Sequence, residues 1–142
     1  MNEHVVIREV LQTIDRNIHH FIEKKRHNKF VIYTNGMGGG LVKEYLKSEF
    51  SIFPEYTIDN KKYNGIDILS IDQAKKRNNE NVYFLICSWH NDLYEQIRLP
   101  IYNTFPKEQI IDVFPRIAES LPTSSEILYY LRKIDTFVEK YI

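Results

Sequence analysis

Apolar side chains recur at three- and four-residue steps through Ile7, Val10, Leu11, Ile14, Ile18, Phe21 and Ile22. Arg8, Asp15, Arg16 and Glu23 lie off that stripe, so the spacing predicts an amphipathic helix over residues 3–27. Lys24, Lys25 and Arg26 fall in its last turn, where cations complement the helix dipole. The pattern then changes. Phe30-Val31-Ile32-Tyr33 is apolar on consecutive positions, as in a strand buried on both faces. Helical spacing returns with Leu41, Val42, Tyr45 and Leu46.

Further along, a second strand is predicted at 55–59, a turn over 60–65, and a third strand around Ile66, Ile68 and Leu69. Ser70 or Asp72 can cap a short helix running to Arg77. Residues 82–87, Val-Tyr-Phe-Leu-Ile-Cys, form the strongest strand signal in the chain. A helix over 92–102, interrupted by Pro100, and a fifth strand over 109–113 follow. Thr123-Ser124-Ser125-Glu126 has capping-box spacing and opens a final helix with Ile127, Leu131, Ile134, Val138 and Tyr141 on one stripe. Strands alternating with helices predict an α/β fold: a Rossmann-like three-layer sandwich on a mostly parallel five-stranded sheet, flanked by N- and C-terminal helices. Within one structural domain, residues 1–28 form the leading helix, 29–121 the α/β unit and 122–142 the trailing helix. The terminal stripes can pack on the sheet, on each other or on a second copy of the chain.

Composition narrows the function classes. The 142 residues carry 19 basic and 19 acidic side chains. Zero net charge argues against a general nucleic-acid binder. The single cysteine, Cys87, excludes an intramolecular disulfide framework and a Cys-rich zinc site. No run reaches the roughly 18 apolar residues of a membrane span, and the first residues do not read as a secretory signal. The expectation is a cytoplasmic domain.

Glycine usage is the sharper signal. Of five glycines, four are Gly36, Gly38, Gly39 and Gly40. They stand between the first strand and the helix after it, in Thr34-Asn35-Gly36-Met37-Gly38-Gly39-Gly40. Backbone N–H groups at such a helix N-terminus favour a phosphate or pyrophosphate. Glycine permits close backbone approach and, where the turn demands it, positive φ. Gly36 and Gly38 match the first two glycines of G-x-G-x-x-G, but Leu41 stands where the third is expected, and is predicted to push the helix outward or rotate it. No Walker A or kinase glycine loop fits.

The fingerprint's second element is an acid at the end of the second strand. Asp59 lies 23 residues after Gly36, where a carboxylate can accept hydrogen bonds from ribose hydroxyls. Lys61 and Lys62 can instead accommodate a 2′-phosphate. The loop after the fourth strand faces the same crevice, so Ser88, Trp89 and His90 join Asn35, Met37, the glycines, Asp59 and Asn60 as candidate ligand contacts. Cys87 reads as a packing residue. His19, His20 and His27 show no metal-ligand spacing, and no metal site is expected. No nucleophile–base–orienter set can be assembled, so no catalytic residue is assigned.

The run 29–44, with the later segments Ile58-Asp59-Asn60, 65–70 and 82–88, resembles small Rossmann-like N-terminal domains of bacterial sugar-nucleotide and polysaccharide-modifying enzymes. These include amino-sugar acyltransferases and FkbM-type methyltransferase-associated proteins. The resemblance covers residues 29–114 and implies a nucleotide or nucleotide-sugar contact at Gly36, Gly38, Gly39, Gly40 and Asp59. It further implies an accessory module beside a covalently linked catalytic domain, since neither relative's catalytic half is present. The cofactor is left open between NAD and a nucleotide-sugar. Two other readings stand beside this one: a dimerisation module that kept the fold without a ligand, and a small NAD-dependent oxidoreductase.

Overall fold

The computed structural model describes residues 3–59, 68–88 and 94–115. Within them the order is α1 (Glu3–Lys24), β1 (Lys29–Tyr33), α2 (Met37–Phe50), β2 (Tyr56–Ile58), β3 (Ile68–Leu69), α3 (Ile71–Lys75), β4 (Val82–Ile86), α4 (Tyr94–Tyr102), a 3-10 turn (Lys107–Gln109) and β5 (Ile110–Asp112). The expected trailing helix over 122–142 lies outside the described residues.

All five strands are parallel, in the order β3-β2-β1-β4-β5. That is the order of the doubly wound nucleotide-binding sheet, and its direction of travel reverses between β1 and β4. The longest strand pairing runs through that centre, from Lys29 opposite Val82 to Tyr33 opposite Ile86.

Alternation along each strand sorts the core into two layers. Phe30, Ile32, Leu85 and Cys87 face α1 and α2, where Val10, Ile14, Ile18, Ile22, Leu41, Val42 and Leu46 close the layer. Val31, Tyr33, Phe84 and Ile86 face the other way and pack with Ile71 and Ala74 of α3, and with Ile101 and Phe105 in and just after α4. Phe84 and Phe105 stack at 4.1 Å between ring centroids. The leading helix is therefore part of the core. From Val10 to Ile22 its predicted stripe is the face packed on the sheet, and Asn17 Nδ2 donates to the Val113 carbonyl at 2.7 Å.

Two local readings are refined. Ser70, not Asp72, caps α3: its hydroxyl accepts from the Gln73 amide and the Gln73 side chain accepts from the Ser70 amide, a complete capping box. The helix stops at Lys75, short of Arg77. Pro100 does not end α4, which continues to Tyr102. The last turn keeps its bonding beyond the ring, with the Asn103 amide on the Leu99 carbonyl and the Thr104 hydroxyl on the Pro100 carbonyl.

Candidate functional site

The carboxyl ends of β1 and β4 lie at the reversal of strand order, where open parallel sheets form their ligand crevice. Thr34 and Asn35 leave β1, and α2 starts directly from the glycine run, with Gly36 at the N-cap position. No side chain caps this helix. The amides of its first turn, on Met37, Gly38 and Gly39, thus have no helical partner, because an α-helix leaves its first N–H groups unbonded. The first intrahelical bond runs from the Gly40 amide to the Gly36 carbonyl at 3.1 Å.

The glycines differ sharply in what they do. A Cβ at Gly39 would lie 2.1 Å from the Thr34 carbonyl oxygen and 3.1 Å from Ile32 Cγ2. Gly39 is therefore where α2 is drawn onto β1. This corrects the expectation about Leu41: its side chain is buried among the core residues of the α1/α2 layer and does not hold the helix off. The close-packing role of the third fingerprint glycine has moved two residues upstream. A Cβ on Gly36 would meet only Thr34 Oγ1, at 3.8 Å, and one on Gly40 would meet nothing within 4 Å. No described glycine has positive φ, so at Gly39 close approach, not backbone conformation, is what demands glycine.

Asp59 is brought to this loop. Its Oδ2 accepts from the Asn35 amide at 2.9 Å, while its own amide donates to the Leu69 carbonyl at 2.9 Å. Asp59 is thereby tied through its carboxylate to the start of the glycine loop and through its backbone amide to β3. On the other side of Asn35, Lys43 Nζ in the second turn of α2 donates to Asn35 Oδ1 at 3.4 Å. The loop thus lies between a carboxylate and an ammonium group.

Ser88 is buried at the end of β4, and its carbonyl accepts from Arg98 of α4 at 3.0 Å. Arg98 is a residue that helical patterning alone does not single out. Only 4% exposed, it grips Asp112 with Nε to Oδ2 at 2.7 Å and Nη2 to Oδ1 at 2.9 Å, and donates to the Phe114 carbonyl at 2.8 Å. A single guanidinium therefore fastens α4 to the ends of β4 and β5. The signal available in the chain was Asp112, an acid closing the apolar run Ile110-Ile111.

Tyr33 completes the frame from β1. Its hydroxyl donates to the Ile97 carbonyl of α4. Burial, and secondarily the negative charge of Asp59, pushes its phenol up to about 12, with Arg98 partly opposing. Burial also drives the Cys87 thiol well above its usual range, and Sγ donates to the Leu85 carbonyl at 3.3 Å. Cys87 is a packing residue, not a thiolate nucleophile.

Of the predicted contacts, the structure gathers Asn35, Met37, the four glycines, Asp59 and Ser88 at the carboxyl end of the sheet. Asn60, Trp89 and His90 lie outside the described residues. Met37 is at the solvent edge, whereas Gly38 and Gly39 are buried. Among the described residues no cluster of histidine, cysteine and acidic side chains suits a metal ion, and no helix is long and apolar enough to cross a membrane. Set against known protein families, curated proteins and solved structures, the chain matches none.

Proposed function

We propose that the chain binds a nucleotide or nucleotide-sugar in the crevice between β1 and β4, as an accessory module of a carbohydrate-modifying enzyme. The observation that carries this reading is the 2.9 Å bond between Asp59 and the Asn35 amide. It sets a carboxylate suited to ribose hydroxyls beside a helix start suited to phosphate. Open parallel sheets bind ligands at this reversal of strand order. The phosphates would lie on the amides of the α2 first turn, the ribose at Asp59 and the distal group towards Ser88. The accessory role rests on the sequence resemblance.

The same bond also favours a second reading. Asp59 already holds the loop, as it would in a ligand-free module that kept the fold. Thermal shift against NAD, UDP-N-acetylglucosamine and S-adenosylmethionine separates the two. A bound ligand at about 100 times its Kd adds roughly 2.7 kcal/mol of stability. Gly36→Val puts bulk at the crevice mouth without the backbone collision that Gly39 would suffer, and should abolish the shift. A shift that survives Gly36→Val and Asp59→Ala places the ligand elsewhere. No shift with any of the three supports the ligand-free module.

A further inference from the structure

At the opposite end of the sheet, the starts of β1, β2 and β4 and the loop after α3 enclose an open depression of about 250 Å³, lined by Lys29, Glu55, Tyr56, Arg77, Asn78 and Val82. This is below the range of about 300–1,000 Å³ usual for drug-sized ligands. It suits a small metabolite.

The segments that carry its lining are tied together by satisfied groups. Gln109 Nε2 donates to the carbonyls of Asn79 and Val82 at 2.7 and 2.9 Å, and Asn79 Nδ2 donates to those of Ala74 and Arg77. Tyr56 gives its hydroxyl to Asn79 Oδ1 at 2.8 Å and lies beneath the Arg77 guanidinium, 4.9 Å from its ring centroid. The aromatic wall is thereby fixed and its polar end used.

The charges at the rim are not neutralised in this way. Lys29 and Arg77 supply two cations and Glu55 one carboxylate, yet among the described residues Glu55 forms no salt bridge with either. Both Glu55 and Arg77 are close enough to act electrostatically on the Tyr56 phenol. Opposite charges held around one cavity without pairing present separate sites for an anionic and a cationic group on the same small molecule.

We propose that this depression binds an amino-acid-type zwitterion, its carboxylate at Lys29 and Arg77 and its ammonium at Glu55. The site is separate from the crevice and does not depend on nucleotide binding there.

The test is titration of the isotope-labelled full chain with L-serine, L-glutamate and L-lysine, followed by amide NMR, with acetate, methylamine and inorganic phosphate as single-charge controls. At least one amino acid should produce saturable shifts at the amides of Lys29, Glu55, Arg77 and Asn78. Its affinity should fall by about tenfold or more in both Arg77→Ala and Glu55→Gln, and acetate and methylamine should each bind about tenfold more weakly or worse. Both substituted side chains are exposed, and an unchanged amide spectrum away from the site confirms that the variants fold. The proposal is overturned if no amino acid saturates the site, if Glu55→Gln binds as well as the parent, or if acetate or phosphate binds as tightly as the best amino acid.

Discussion

Arg98 and Arg77 stand at opposite ends of one parallel sheet, and their surroundings are unalike. Arg98 is buried, holds Asp112 through two bonds and reaches two backbone carbonyls at the ends of β4 and β5. Arg77 is exposed, covers the Tyr56 ring and makes no salt bridge among the described residues. The carboxyl end uses its charges to fasten strand ends and helix together. The amino end leaves its charges facing a cavity. Charge at the first place is fixed in bonds that hold the fold, and charge at the second forms no salt bridge among the described residues.

This contrast has a direct energetic consequence. Arg98→Ala strands the Asp112 carboxylate beside a buried void, and removing one partner of a buried pair costs about 3–5 kcal/mol. For a domain whose whole stability is about 5–15 kcal/mol, that is a large share. Arg77→Ala loses an exposed cation–π contact worth about 0.5–1 kcal/mol. Urea unfolding of both variants tests the comparison. Equal losses would mean that the two ends do not differ in the way described.

A finer version lies inside the glycine run. Gly39→Ala forces a Cβ into the Thr34 carbonyl, a backbone atom that cannot rotate aside, so α2 must lift from β1. Overpacking of this kind costs about 1–3 kcal/mol. Gly40→Ala, one residue on, meets open space on a helical turn and should stabilise by about 0.8–1 kcal/mol. Opposite signs at adjacent glycines, read as midpoints of chemical denaturation, are the expected result. If Gly39→Ala does not destabilise, Gly39 is not the point at which α2 meets β1.

Those two glycines also mark how far the chain could be read from its letters. Helical spacing located α1 and α2, and consecutive apolar runs located β1 and β4, to within a few residues, because each buries enough apolar surface to leave a pattern. The doubly buried β1 and β4 implied a parallel sheet, and the acid at Asp59 was legible from its distance to Gly36. Which glycine touches the strand was not legible. It depends on the angle at which α2 leaves β1, and four glycines in five positions look alike until that angle is known. Arg98 was hidden for a different reason: an arginine beside Ile97 and Ile101 reads as solvent-facing unless Asp112, from a strand not yet placed, is known to meet it. The amino-end depression was beyond sequence reading altogether, since Lys29, Glu55 and Arg77 come from three separated segments.

Tyr33 tests the carboxyl-end frame most gently. Tyr33→Phe keeps the ring packed on the α3/α4 side of the sheet and removes only the hydroxyl bond to the Ile97 carbonyl, a loss of about 0.5–1.5 kcal/mol near neutral pH. The loss should depend on pH. The folded phenol titrates near 12, raised by burial and by Asp59 from its ordinary value of 10.0. Between these values the unfolded parent chain releases the Tyr33 proton while the folded chain retains it, so rising pH favours unfolding. The stability from the retained proton is fully present below pH 10 and is lost as pH rises through about 12. Phenylalanine has no such proton, and the nine other tyrosines are common to both proteins. The parent's advantage over Tyr33→Phe, measured by urea midpoints, should therefore be constant at and below about pH 8 and shrink steadily above pH 10. A difference independent of pH over that window would show that the Tyr33 phenol is as accessible to water as an ordinary one, and that β1 is not fastened to α4 at this point.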